Sequence, residues 1–156
     1  ISKTKRCVIV GELKEIFRTI DIMMIGCDID YDELKSKEID EKYFEEYSNV
    51  RIVNSFLFNY SKIQDKIGSK LLKRVLFVQK ELDSDDVPMR DILNILEKLR
   101  IVDSVLEWDR LREIRNNLSH EYPFSIQERV ENINLALEGY LILKKIYFNL
   151  KGFCKI

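Results

Sequence analysis

Histidine is almost missing from this chain of 156 residues: His120 is the only one. The three cysteines, Cys7, Cys27 and Cys154, are far apart and form no C-x-x-C. One histidine and three scattered thiols cannot complete the usual zinc ligand sets, so neither a metal nor another cofactor is expected. An odd number of dispersed thiols points to reduced cysteines in a cytoplasmic protein. Five glycines and two prolines are too few for a loop-rich or low-complexity chain. Neither sign of charge is in excess: 26 Lys and Arg stand against 27 Asp and Glu, a net charge of -1. Any contact with nucleic acid must therefore come from a local patch. No apolar run reaches the roughly 20 residues of a membrane-spanning helix, and there is no signal-peptide pattern. The first residue is Ile1 and not Met, so a short piece is expected to precede it.

What is present is helical periodicity. Hydrophobic residues make up 46% and charged residues 34% of the chain, enough for one domain over residues 1–156 with a real core. Ile9, Leu13, Ile16, Phe17, Ile20 and Met24 predict a first helix over about residues 4–24, stopped by Gly26. Asp28-Ile-Asp30-Tyr-Asp32 opens an acidic stretch to Asp40. It fails as a calcium loop because Glu33 stands where the turn glycine belongs, so a solvated loop is expected. A long helix follows over about residues 39–81, with a kink or break at Gly68. Its two apolar stripes imply burial on two sides, by its own chain or by a second copy. Aspartates before Pro88 start a third helix, to about residue 101. Ser104-Val-Leu-Glu107 has capping-box spacing and opens a fourth, over about residues 105–119; Pro123 should end it near His120. Ser125-Ile-Gln-Glu128 is a second capping box, opening a last helix to about residue 150. No stretch alternates with a period of two. The expected fold is all-α, a four- or five-helix up-and-down bundle.

The most concentrated polar constellation is Arg115-Asn-Asn-Leu-Ser-His120-Glu-Tyr122. On a helix Arg115 lies at the edge of the apolar face of Leu111, Ile114 and Leu118, and Asn116 and His120 stack on the other side. Arg115 and His120 are about 140° apart on a regular helix, so two copies packed around this segment are a natural way to bring an arginine and a histidine together. An imidazole moves protons near neutral pH, a guanidinium fork suits phosphate oxygens, and Asn116 adds a neutral donor and acceptor. This set suits phosphodiester cleavage without a metal, with the RNA 2′-hydroxyl as internal nucleophile. The same residues also suit an ordinary polar helix end, and residue chemistry alone leaves both readings open. Trp108, Tyr122 and Phe124 can likewise be base-stacking groups or core. Arg110 and Arg112 extend a basic patch that Asp109, Glu113 and Glu121 dilute.

Arg115 to Tyr122 resembles the R-x4-6-H motif of the HEPN superfamily, and in particular the R-x4-H-x-Y form of HepT-type toxins, which are paired with MNT nucleotidyltransferase antitoxins. A polar residue directly after the arginine, here Asn116, belongs to the same pattern. A second stretch, residues 56–72, resembles the long helix of that group: an aromatic cluster, then Lys62-x-Gln64-Asp65-x-x-Gly68-x-Lys70. The resemblance implies a HEPN-like homodimer acting as a metal-independent ribonuclease, with Arg115 and His120 catalytic and Asn116 in support. It also implies that Tyr122 is the residue an antitoxin modifies with AMP, silencing the nuclease. The alternative it leaves is a non-catalytic helical subunit that binds a nucleotidyltransferase and presents a substrate to it.

Overall fold

A computed structural model describes residues 3–84, 86–118 and 125–154. Every regular element among them is helical: α1 (Lys3–Lys35), a 3-10 turn (Lys42–Glu45), α2 (Tyr47–Lys66), a π turn (Ile67–Leu71), α3 (Leu72–Val78), α4 (Met89–Lys98), α5 (Val105–Leu118) and α6 (Ile126–Phe153). The all-α expectation holds, and α2, the π turn and α3 form one continuous rod. Side-chain pairings give the directions. Arg74 meets Glu12 and Ser55 meets Asp30, so α1 and the α2–α3 rod are antiparallel. Arg115 meets Asp65 while Trp108 packs on Gly68, so α5 runs against α2; Arg110 meets Glu138 while Lys145 meets Asp103 just before α5, so α6 runs against α5. Lys151 and Lys144 meet Asp21 and Asp28, which sets α6 against α1. The result is an up-and-down bundle with α4 packed on α5. No helix of the described residues is long and apolar enough to cross a membrane.

The first helix is longer than expected, and the acidic stretch is mostly not a loop. Gly26 does not stop α1, because burying Cys27 and Leu34 beyond it offsets the roughly 1 kcal/mol a mid-helix glycine costs. The carboxylates then find separate partners. Asp28 accepts from the Tyr140 hydroxyl at 2.6 Å and from Lys144 at 2.9 Å, and Asp30 accepts from Ser55 at 2.7 Å. Two turns nearer the start of α1, Asp21 accepts from Lys151 at 2.6 Å and Tyr147 at 2.7 Å. The bonds of Asp21 and Asp28 make a polar seam along the α1–α6 contact, and that of Asp30 ties α1 to α2. Burial alone would raise the Asp21 pKa, but the bonds from Lys151 and Tyr147 outweigh it and hold the carboxyl below its ordinary 3.8. Its stabilising effect is therefore present above that value and is lost as pH falls through the lower folded one. Asp21→Asn is expected to lower stability at neutral pH and to flatten the acid limb of the stability curve below about pH 4, read by denaturant melts across pH.

Gly68 does interrupt its helix, as a π turn. A Cβ there would meet Trp108 Cζ2 at 3.0 Å, so the indole occupies the space a side chain would take. The two apolar stripes of this rod are buried within the chain, by α1 on one side and by α5 and α6 on the other. The rod stops at Val78, and α4 at Lys98, both earlier than expected. Lys80 and Arg100 take left-handed conformations, φ 62 and 59, and the amides of Glu81 and Ile101 close back onto Leu76 and Leu96. These are helix stops of the Schellman type without the glycine that usually marks them.

The second capping box has its serine half: Ser125 Oγ accepts from the Glu128 amide at 3.1 Å. At α5 the pattern differs. Ser104 Oγ accepts from the Leu106 amide, and the Val105 amide donates to Glu97 of α4 at 2.8 Å. Glu97 of the neighbouring helix thus satisfies the first free amide of α5, one residue beyond the Ser104 amide that Glu107 would meet in a capping box. Cys27 and Cys154 are buried and Cys7 is exposed. Burial pushes the Cys27 thiol up to about 12 and raises Cys154 as well. An alkylating reagent near neutral pH should label only Cys7 in the native protein and all three thiols after unfolding, as read by mass.

Candidate functional site

The second half of α5 buries Leu111 and Ile114 and leaves Arg115 at the border, 28% exposed. This is the edge position that helical spacing predicts. Asn116, next along the helix, is exposed. His120 and Tyr122, the other two residues singled out in the motif, lie outside the described residues, as does the end of the helix expected near them.

Arg115 reaches across to α2. Its Nε donates to Asp65 Oδ1 and its Nη2 to Asp65 Oδ2, both at 3.1 Å. This is a two-pronged guanidinium–carboxylate contact, which fixes the plane of the fork as well as its position. The two residues are 50 positions apart, one in each stretch that carries the family resemblance.

Behind the pair, α2 turns Tyr60 and Gln64 inward. Both are buried, and neither the Tyr60 hydroxyl nor Gln64 Oε1 has a hydrogen-bond partner among the described residues. Burial raises the Tyr60 phenol far above its ordinary range, and the Arg115 charge nearby opposes this only in part. Tyr60 therefore stays neutral and is walled in by Gly139 of α6, where a Cβ would come within 2.6 Å of its oxygen.

In front of the pair the same helix faces solvent. The aromatic cluster at 56, 58 and 60 splits. Phe56 and Tyr60 are core, while Phe58 is 62% exposed with the Lys62 ammonium 5.6 Å from its ring centre. Phe58, Lys62 and Asp65 are spaced by four and three, so they share one face of α2, about 10 Å long, that leads to Arg115. Neither Phe58 nor Asp65 was given a role by the sequence. The signal for Phe58 is its phase: it stands two residues from Phe56 and so points away from the core stripe. Nothing local marks Asp65 as the partner of Arg115.

Phe124 also lies outside the described residues, and the remaining candidates, Trp108, Arg110 and Arg112, fall on the structural side. Trp108 is buried against Gly68 and has no face free for a base. Arg110 pairs with Glu138 at 3.1 Å and Arg112 with Asp109 at 3.8 Å, and Arg90 also reaches Asp109. The basic patch around α5 is thus largely neutralised by its own carboxylates. What remains is a narrow strip in which one aromatic ring and two cations flank a single carboxylate. Such a strip can hold a phosphate and stack a flat group beside it. Comparison with family models, with curated proteins and with solved structures finds no match for this chain.

Proposed function

We propose that the chain is a HepT-like, metal-independent ribonuclease of the HEPN type. The observation that carries the reading is the Arg115–Asp65 contact: it joins, side by side, the two stretches whose residues resemble that family. His120 takes the proton from the RNA 2′-hydroxyl, which attacks the adjacent phosphorus. Arg115 stabilises the charge that builds on the phosphoryl oxygens, with Asn116 in support. The P–O5′ bond breaks, the 5′-oxygen takes a proton from water, and the upstream fragment ends in a 2′,3′-cyclic phosphate. Phe58 and Lys62 hold the strand, by stacking and by charge, along the α2 face that runs to Arg115. In this reading the partners are RNA, a second copy of the chain, and a cytoplasmic MNT-type nucleotidyltransferase that silences the nuclease by attaching AMP to Tyr122. The attached nucleotide adds negative charge to the motif, which would repel RNA.

A second reading has a specific observation in its favour. Nε and Nη2 of Arg115 are already engaged by Asp65, which leaves less of the guanidinium to meet a phosphate in the transition state. The chain is then a non-catalytic subunit that binds a nucleotidyltransferase and presents a substrate to it. An RNA-cleavage assay on the purified protein, with EDTA present, separates the two. The ribonuclease reading expects cyclic-phosphate products that persist in the chelator and vanish in Arg115→Ala and His120→Ala. Intact RNA together with tight binding of the nucleotidyltransferase supports the second reading, and cleavage undiminished in both variants sinks the first.

A further inference from the structure

The chain as a whole is close to neutral, but its charge is not spread evenly. The rod from Tyr47 to Val78 holds six cations, Arg51, Lys62, Lys66, Lys70, Lys73 and Arg74, and one carboxylate, Asp65. The rest of the chain holds 20 cations against 26 carboxylates. The basic patch that a contact with nucleic acid needs is thus on the rod and not on α5. Its one carboxylate is held by Arg115, and Arg74 is paired with Glu12. Lys62, Lys66 and Lys70 are exposed, and none of the three has an ion partner among the described residues.

These lysines stand in line. Ser55 meets Asp30 and Arg74 meets Glu12, so the rod turns the same side to α1 before and after the π turn. Lys62 and Lys66 follow Ser55 by seven and eleven residues, and Lys70 precedes Arg74 by four. All three therefore rise along the edge of the rod that borders α1, a turn apart, over about 12 Å. Opposite Lys62 and Lys66, α1 presents Thr19, Met23 and Gly26, none of them charged. Glu15, nearer Lys70, contacts Arg18 at 3.9 Å. Asp65 falls between Lys62 and Lys66 along the axis, so the Arg115 fork meets the rod level with the middle of the line. Phe58 lies a turn before Lys62. Beyond Asp65 the rod exposes no aromatic ring.

We propose that Lys66 and Lys70 bind the phosphates of the RNA strand on the far side of the cut from Phe58. The inference rests on the ribonuclease reading for placing the cut at Arg115. The two flanks of the cut are then gripped differently. On the Phe58 side a base stacks on the ring. On the Lys66 and Lys70 side only the backbone is held, so the sequence there is not read. An acidic membrane would call for apolar side chains among the cations, whereas the exposed residues between these lysines, Asp65 and Ser69, are polar.

Fluorescence anisotropy tests it, with the full chain and 2′-O-methyl RNA of about 12 nucleotides. The methyl group blocks attack by the 2′-oxygen, so binding is read without cleavage. Lys66→Gln and Lys70→Gln should each weaken binding at least about threefold and lower the slope of log affinity against log salt by about 0.7, equally for two unrelated sequences. Phe58→Ala should weaken binding with the slope unchanged. Lys14→Gln, beside Lys151 in a separate groove, should change neither. Both lysines are exposed, so the helical circular dichroism spectrum of the variants should match the parent. A double Lys66→Gln, Lys70→Gln variant with the parent's slope overturns the proposal, as does an equal loss in Lys14→Gln or a loss seen with only one of the sequences. The underlying reading fails separately: lysine-dependent binding of the methylated strand without cleavage of ordinary RNA supports the lysine line and sinks the nuclease, whereas cleavage by a double variant that keeps the parent's slope sinks the lysine line alone.

Discussion

Arg115→Ala is expected to reduce RNA cleavage by about 10²–10³-fold while leaving the fold in place. The size follows from the proposed role: losing one preorganised donor to a charged transition state typically costs this much. The mildness on stability follows from the setting. The Arg115–Asp65 pair sits at the border of the bundle with Asp65 about half exposed, where such pairs contribute about 0–1 kcal/mol. Arg115→Lys is the sharper variant. It keeps the charge but cannot reproduce the two-pronged contact at 3.1 Å, so cleavage should stay at least about tenfold below the parent. Full activity in Arg115→Lys would show that only a point charge is needed and that the fixed fork plane does not matter.

Gly139→Ala should be among the most damaging single-methyl changes in the molecule. Its Cβ would fall 2.6 Å from the Tyr60 hydroxyl oxygen and within 3.4 Å of Ile114 and Leu111. The tyrosine cannot swing aside, because its ring stacks on Phe56, which in turn packs edge-on against Tyr140. Alanine would favour the helix by about 1 kcal/mol over glycine, which offsets part of an overpacking cost of about 3 kcal/mol and leaves a net loss of roughly 2 kcal/mol, or about 4–8 °C in Tm. Tyr60→Phe removes the atom in the way. In the Gly139→Ala background it should recover most of the loss. Alone it should be neutral or stabilising by about 1 kcal/mol, because the hydroxyl has no hydrogen-bond partner among the described residues. A clear loss of stability in Tyr60→Phe would mean that the hydroxyl is bonded after all.

Much of this architecture is legible in the residues, and the exceptions have a common physical cause. The core stripe of α1, the helix start at Ser125 and the interruption at Gly68 are local patterns, and each appears where periodicity and capping chemistry put it. The ends of α3 and α4 are not legible because Lys80 and Arg100 adopt a backbone conformation that their side chains do not advertise. The run from Asp28 to Asp32 reads as a loop only while Tyr140, Lys144 and Ser55 are out of view. Paired with them it is helix. The candidate site divides in the same way. Arg115 at the helix edge follows from spacing, whereas its hold on Asp65 and the outward turn of Phe58 depend on how α2 and α5 meet. Burial of Trp108 likewise follows from the absence of a side chain at Gly68, 40 positions away, and from nothing around the tryptophan itself.

The polar seam between α1 and α6 joins groups 112–130 positions apart, and the Cys27 thiol lies buried beside it, close enough to Tyr140 and Asp28 to feel both. That placement turns one sulfur into a clock. Reagent reaches it only when the two helices part, so its rate of modification counts openings of the seam. Compared with backbone amide exchange in α2, it would tell whether the first and last helices peel away before the rest of the bundle or only with it.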